Sequence, residues 1–257
     1  MHSFFADKDL ISSDAIKIVG DDASHISKVL RIKIGEEIIV CDGEGTEYLC
    51  VIDSIGKKNV SCKIKSKMKN ESEPPIKVDL YQGIPKSTKM DIIIQKTVEM
   101  GINSITLVNT ERVIVKAFDK DSSNKYTRYR RIAEEAAKQS GRGKIPDVLD
   151  AISFKDVIDG ICKYDIAIIP YENEKSMGLK NILNDNKNFK NIAIFIGPEG
   201  GFTEEEINYA KTKGVIPITL GPRILRTETA GFVCLSQLMY AIGDMGGILW
   251  KEQLLPL

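Results

Sequence analysis

The chain has 257 residues, enough for one large domain or two moderate ones with a substantial buried core. Its 36 Lys and Arg cancel its 36 Asp and Glu, so no global field marks it as a nucleic-acid binder and any such surface has to be local. Five cysteines without C-x-x-C spacing, and only His2 and His25 beside them, argue against a metal site and suit reduced thiols in the cytosol. The opening MHSFFADKDL carries acids early and lacks the apolar segment of a signal peptide.

From Phe4 to about Met68 the pattern is of short β-like runs, at 15–19, 37–41, 47–52 and 60–64. Gly, Asp and Asn punctuate them at 20–22, 42–45 and 56–59. Only 23–31 reads as helix, with Ile26, Val29 and Leu30 on one side and Arg31 at its end. These signals predict a small β-barrel-like module with one helix. Lys57 and Lys58, then Lys63, Lys65, Lys67 and Lys69, form a basic segment with no acid between Ser54 and Asn70. It reads either as a solvated edge strand guarded by lysines or as a contact for RNA phosphates.

NESEPP, 70–75, is the best linker candidate, and the pattern changes after it to alternating strands and helices. Strands are predicted at 78–82, 104–108, 147–149, 165–170, 192–196 and 215–220. Helices are predicted at 90–100, 125–140, 154–161, 179–183, 204–213 and 229–243. Such alternation points to a mostly parallel sheet covered on both faces. The apolar stretch 232–250 contains Gln237, Asp244 and several glycines, and reads as a buried helix or a subunit interface, not a membrane span. Residues 136–146, AAKQSGRGKIP, end a helix in a cationic loop with Arg142 and Lys144. The helix dipole favours cations there whatever the function, and the two glycines let backbone approach a partner.

Two strand-end loops carry the chemistry. In NIAIFIGPEGGFTEEE, 191–206, an apolar strand ends in Gly197-Pro198 and Gly200-Gly201, and Thr203 with Glu206 makes a capping box for the next helix. A helix start holding Glu204, Glu205 and Glu206 is a poor phosphate site, so a neutral or cationic ligand fits better. In GPRILRTETAGF, 221–232, the same design recurs, and the two loops converge if their strands are neighbours. Thr227 or Thr229 reads as an N-cap, Glu228 as a first-turn acid, and Arg223 and Arg226 as surface charge. Alternatively, an Arg beside a pocket stabilises developing negative charge and a carboxylate accepts a proton.

IGPEGGFTEEEI together with LGPRILRTETA resembles the RsmE family of the SPOUT methyltransferase superfamily. QGIPKSTKMDIIIQKTVEMGI (82–102), QSGRGKIP (139–146) and SHISKVLRIKIGE (24–36) support the resemblance, which spans essentially the whole chain. It implies an α/β protein with an N-terminal PUA-like, RNA-binding β-barrel, residues 1–70, and a SPOUT α/β methyltransferase domain, residues 74–257, tied at its C-terminus in a deep trefoil knot. It further implies a cytoplasmic homodimer that uses S-adenosyl-L-methionine, without metal or membrane, to methylate N3 of a uridine in 16S rRNA of the small ribosomal subunit.

The cofactor loops implied are Ile196, Gly197, Pro198, Glu199, Gly200 and Gly201, then Leu220, Gly221, Ile224, Leu225, Thr227, Thr229 and Ala230. Ile169 or Pro170 adds the end of the preceding strand. Arg226 is the expected catalytic cation and Glu228 the candidate base. Arg31, Lys63, Lys65, Arg142, Lys144 and Arg223 are expected to meet RNA, Arg142 and Lys144 across the dimer. Two rivals remain: a SPOUT 2′-O-ribose methyltransferase and a non-catalytic ribosome-assembly factor.

Overall fold

The computed structural model describes residues 2–86, 88–113, 122–185 and 188–246. It divides into one unit of Met1–Glu73 with Ala137–Ile145, and a second of Pro74–Ala136 with Pro146–Leu257.

In the first unit β1 (Ser3–Phe5), β2 (Ala15–Val19), β3 (Glu37–Cys41), β4 (Thr46–Ile55) and β5 (Asn59–Lys69) form one curled sheet, a half-barrel ordered β1-β3-β4-β5-β2. Alternation does what the pattern demands: Ile16, Ile18, Ile38, Val40, Ile52, Val60 and Cys62 turn inward into one core. The predicted helix is two pieces: α1 (Gly20–Ser24), then a π-helical turn over His25–Leu30. Arg31 ends it in the left-handed region, φ 53°, with its N–H donated to the Ile26 carbonyl.

β5 is not an edge along its whole length. β2 pairs with it from Asn59 to Lys63, and only the remainder has β4 alone for a neighbour. Lys63 lies 2.6 Å from Asp53, and Lys65 lies 2.5 Å from Glu37. Both expected RNA contacts are therefore already matched with carboxylates on their own sheet.

The segment predicted as a linker is a clasp. Asn70 is 4% exposed and donates through Nδ2 to Glu47 Oε1 (2.6 Å) and the Gly141 carbonyl (3.2 Å), while Ser72 Oγ donates to that carbonyl at 2.8 Å. Arg142, whose side chain is 4% exposed, forks onto Glu73 through Nε (3.3 Å) and Nη2 (2.8 Å), and the Lys144 N–H adds 3.1 Å to the same carboxylate. A Cβ on Gly143 would stand 2.4 Å from Asn70 Cβ, so the backbone approach that this glycine permits is to its own chain. The expectation that Arg142 faces RNA is thus corrected. Burying a guanidinium requires a bidentate acid, and Glu73 supplies it.

The second unit is a six-stranded, all-parallel sheet of β6 (Lys77–Gly83), β7 (Ser104–Asn109), β8 (Asp147–Ser153), β9 (Ile166–Pro170), β10 (Asn191–Ile196) and β11 (Ile216–Ile218), ordered β11-β9-β10-β6-β7-β8. Ile192, Ala193, Ile194 and Phe195 are fully buried, as a central parallel strand covered on both faces has to be. The helices are α2 (Lys89–Glu99), α3 (Ser122–Ser140), α4 (Phe154–Asp159), α5 (Leu179–Asp185), α6 (Glu204–Thr212) and α7 (Thr227–Ile242). α7 packs on α2, α5 and β10, and its N-cap is Arg226, not a threonine. The end of the stretch 232–250, from residue 247, lies outside the described residues. Among the described residues no helix is long and apolar enough to cross a membrane.

Candidate active site

β10 and β11 are not neighbours: β9 lies between them and pairs with both. Their loops nevertheless meet, because the carboxyl ends of three adjacent parallel strands open on one cleft. The expected condition fails and the convergence holds.

The first loop closes on itself. Gly201 N–H donates to the Pro198 carbonyl (2.9 Å) and Gly201 takes φ +67°, while a Cβ on Gly197 would come within 3.1 Å of Gly201. Phe202, 3% exposed, anchors the exit against Phe154. The capping box is reciprocal: Glu206 N–H to Thr203 Oγ1 at 3.2 Å, Thr203 N–H to Glu206 Oε2 at 2.9 Å. Glu206, 6% exposed, also accepts the Glu111 N–H (2.9 Å), and Arg112 Nη1 donates to the Gly200 carbonyl at 2.7 Å. Beyond β9, Tyr171 N–H donates to the Ile218 carbonyl and Glu174 gathers the Ser176 and Met177 N–H groups. Those N–H groups hold the exposed Glu174 carboxyl at about 2.

A hydrogen-bond relay locks the loops. Gln82, fully buried at the end of β6, donates to Thr227 Oγ1 (2.9 Å), which donates to the Gly197 carbonyl (2.6 Å). Lys89, the first residue of α2, adds a charged tie: its Nζ is 3.0 Å from Glu199 Oε1 and 3.2 Å from Glu228 Oε2. Its bond to Glu199 raises the Lys89 pKa against the cost of burial, with Glu228 adding to the rise. Burial pushes the Glu199 carboxyl up, but Lys89 and the Lys86 N–H outweigh it and leave it below its ordinary value. Glu228 Oε2 is shut off from solvent without a well-aligned hydrogen bond, so its approach to Lys89 is a contact of charges.

The cleft measures about 520 Å³, ample for a nucleoside-sized ligand. Ile196, Gly197, Pro198, Glu199, Gly200, Gly201, Leu220, Gly221, Ile224, Leu225, Thr227 and Ala230 line it, as do Arg223, Arg226 and Pro170. Thr229 and Glu228 do not, although Glu228 reaches the rim through Lys89, which does. Arg226 projects with 82% of its side chain exposed, 4.0 Å from Glu228 Oε1. Arg31, Lys63, Lys65, Arg142 and Lys144 belong to the other unit.

Sequence reasoning missed Lys89, Gln82, Tyr171, Glu172 and Thr219. Lys89 and Gln82 stand inside QGIPKSTK, a signal of resemblance to which no chemistry was attached, and Tyr171 and Glu172 follow the apolar run of β9 as strand-end residues should. Among the described residues no group of His, Cys, Asp or Glu is arranged to hold a metal.

Residues 72–239 match the family model of an RNA methyltransferase domain, and residues 18–65 that of an RNA methyltransferase PUA domain. The chain is 36% identical over 227 residues to ribosomal RNA small subunit methyltransferase E of Bacillus subtilis, covering 87% of this chain and 89% of that one. It superposes at TM-score 0.86 and 30% identity on the Neisseria gonorrhoeae enzyme of that name bound to S-adenosyl methionine, covering 95% and 99% of the two chains. A methyltransferase structure from Legionella pneumophila, also with S-adenosylmethionine, matches at TM-score 0.85 and 31% identity, covering 95% and 98%.

Proposed function

The chain belongs to the RsmE family of ribosomal RNA methyltransferases, and from that premise we propose that it transfers a methyl group from S-adenosyl-L-methionine to N3 of a uridine in 16S rRNA of the small ribosomal subunit. The observation that carries the reading is the cleft itself. Three strand-end loops converge on it, and glycine backbone and the carboxylates Glu172 and Glu199 line its wall. A sulfonium nucleoside is cationic and has no phosphate, which suits such a donor set.

When bound, the cofactor supplies an electrophilic methyl group. Backbone groups of Ile196–Gly201 and of 220–225 hold it, and Thr227 keeps the two loops in register, so positioning supplies much of the acceleration. Arg226 neutralises the charge that the uracil oxygens gain as the N3 proton leaves. Glu228 takes that proton, with Oε2 turned towards Lys89 and Oε1 towards Arg226. Arg223 meets the RNA backbone at the cleft, and Arg31, Lys63, Lys65 and Lys144 meet flanking RNA from the PUA-like module, residues 1–70. The methyltransferase domain, 74–257, is knotted at its C-terminal end, and the molecule works in the cytoplasm as a homodimer.

The deciding experiment is nucleoside analysis of small-subunit RNA treated with the purified protein and S-adenosylmethionine. N3-methyluridine is expected; a ribose-methylated product supports the 2′-O reading instead, and no cofactor binding in calorimetry supports the assembly factor. Arg226→Ala is expected to lower turnover at least tenfold while cofactor affinity changes less than twofold. Equal losses in both would move Arg226 into the cofactor shell.

A further inference from the structure

Among the described residues, Lys89 is the cation that ion-pairs with a carboxylate of each cleft loop from outside either loop. It comes from α2, more than a hundred residues before Glu199 and Glu228, and bridges them at 3.0 Å and 3.2 Å. An exposed lysine pair is worth little, but here the side chains are 29%, 27% and 17% exposed. Glu199 is fixed independently by the Lys86 N–H at 3.1 Å. The relay from Gln82 through Thr227 to Gly197 already staples the two loops, so the lysine is not needed merely to join them. What it adds is charge at Glu228. The groups facing that carboxylate are Lys89 from α2 and Arg226 from its own loop, with Glu199, from the loop after β10, sharing the lysine; among the described residues no other cation lies within 4.0 Å.

We propose that Lys89 is a positioning residue for methyl transfer: it holds Glu228 as an oriented carboxylate at the rim of the cleft, Oε2 inward and Oε1 towards Arg226, and Glu199 sets how much of its charge Glu228 receives. This rests on the base assigned to Glu228 above. Removing the ammonium leaves two carboxylates with no common cation between them. Removing Glu199 instead gives Glu228 the whole lysine. The two changes act in opposite directions, which a passive staple would not produce.

The test is the pH dependence of kcat between pH 4 and 9 for wild type, Lys89→Met, Lys89→Arg and Glu199→Gln, with RNA KM measured alongside. Lys89→Met is expected to lower kcat at least tenfold at pH 7 and to move the acid limb up by about one pH unit, with KM for RNA within twofold of wild type. Glu199→Gln is expected to move the limb down, and Lys89→Arg to restore kcat to within threefold with the limb near its wild-type position. A limb unmoved in Lys89→Met, or moved the same way in Glu199→Gln, overturns the proposal. If Lys89→Met does not fold, Glu199→Gln and Lys89→Arg decide it by the same criteria. Wild-type protein that methylates no RNA at any pH fails the functional reading itself, whereas normal wild-type transfer with these limbs unshifted fails only the role of Lys89.

Discussion

Gly83 ends β6 with no room for a methyl group: an added Cβ would stand 2.6 Å from Pro198 Cδ and 2.7 Å from Pro198 N. Because the obstacle is backbone and a proline ring, Gly83→Ala has to push the first loop away, at a cost of about 1–3 kcal/mol. We expect the variant to fold and to lose at least tenfold in S-adenosylmethionine affinity, read by calorimetry; unchanged affinity would mean that the loop does not hold the cofactor through its backbone. In the sequence the glycines of these loops read as turn formers, which they are at Gly201 and Gly221, φ +67° and +109°. Gly83 and Gly143 obey a different constraint, a neighbour pressed against the Cα. That neighbour is more than seventy residues away for Gly143 and more than a hundred for Gly83, and no local pattern announces it. Thr227 was misread for a similar reason: an N-cap is a local motif, whereas its hydroxyl serves Gly197 and Gln82 across three elements.

At the scale of elements, most helices and strands were legible because amphipathic periodicity and apolar runs are local signals. What escaped was pairing. The strand β11 is shorter than its apolar run, since only Ile216–Ile218 pairs with β9, while Thr219 makes an isolated bridge to Gly178. The loop after α3 read as a cationic surface, and its arginine is a buried structural charge. Arg142→Ala would strand Glu73 at 14% side-chain exposure without its bidentate partner. It should destabilise the first unit by about 3–5 kcal/mol, measured by urea unfolding followed through the signals of that unit. A loss below about 1 kcal/mol, accompanied by weakened RNA binding, would return Arg142 to the surface role that its sequence suggests.

For the whole molecule, βα alternation beyond residue 75 was sufficient to indicate a parallel sheet covered on both faces, but not the order β11-β9-β10-β6-β7-β8. Chain sequence fixes which strands exist, and only long-range packing decides that β10 inserts between β9 and β6. Ile92 on α2, Tyr240 on α7 and Met245 beyond it remain 45%, 71% and 51% exposed. A second copy covering such apolar residues is the expected state, and light scattering should return a mass near twice 28.6 kDa; the monomer mass would leave them to solvent. The clasp of Glu73 and Asn70 on Gly141–Arg142 has a bearing on how the protein is made. The strands of the half-barrel precede the other unit in the chain, yet the residues that complete it, Ala137–Ile145, follow 63 residues of that unit, Pro74–Ala136. During translation the first unit therefore waits, unfinished, until β6, β7 and α3 have been made, and it can close before β8 and the rest of the parallel sheet exist.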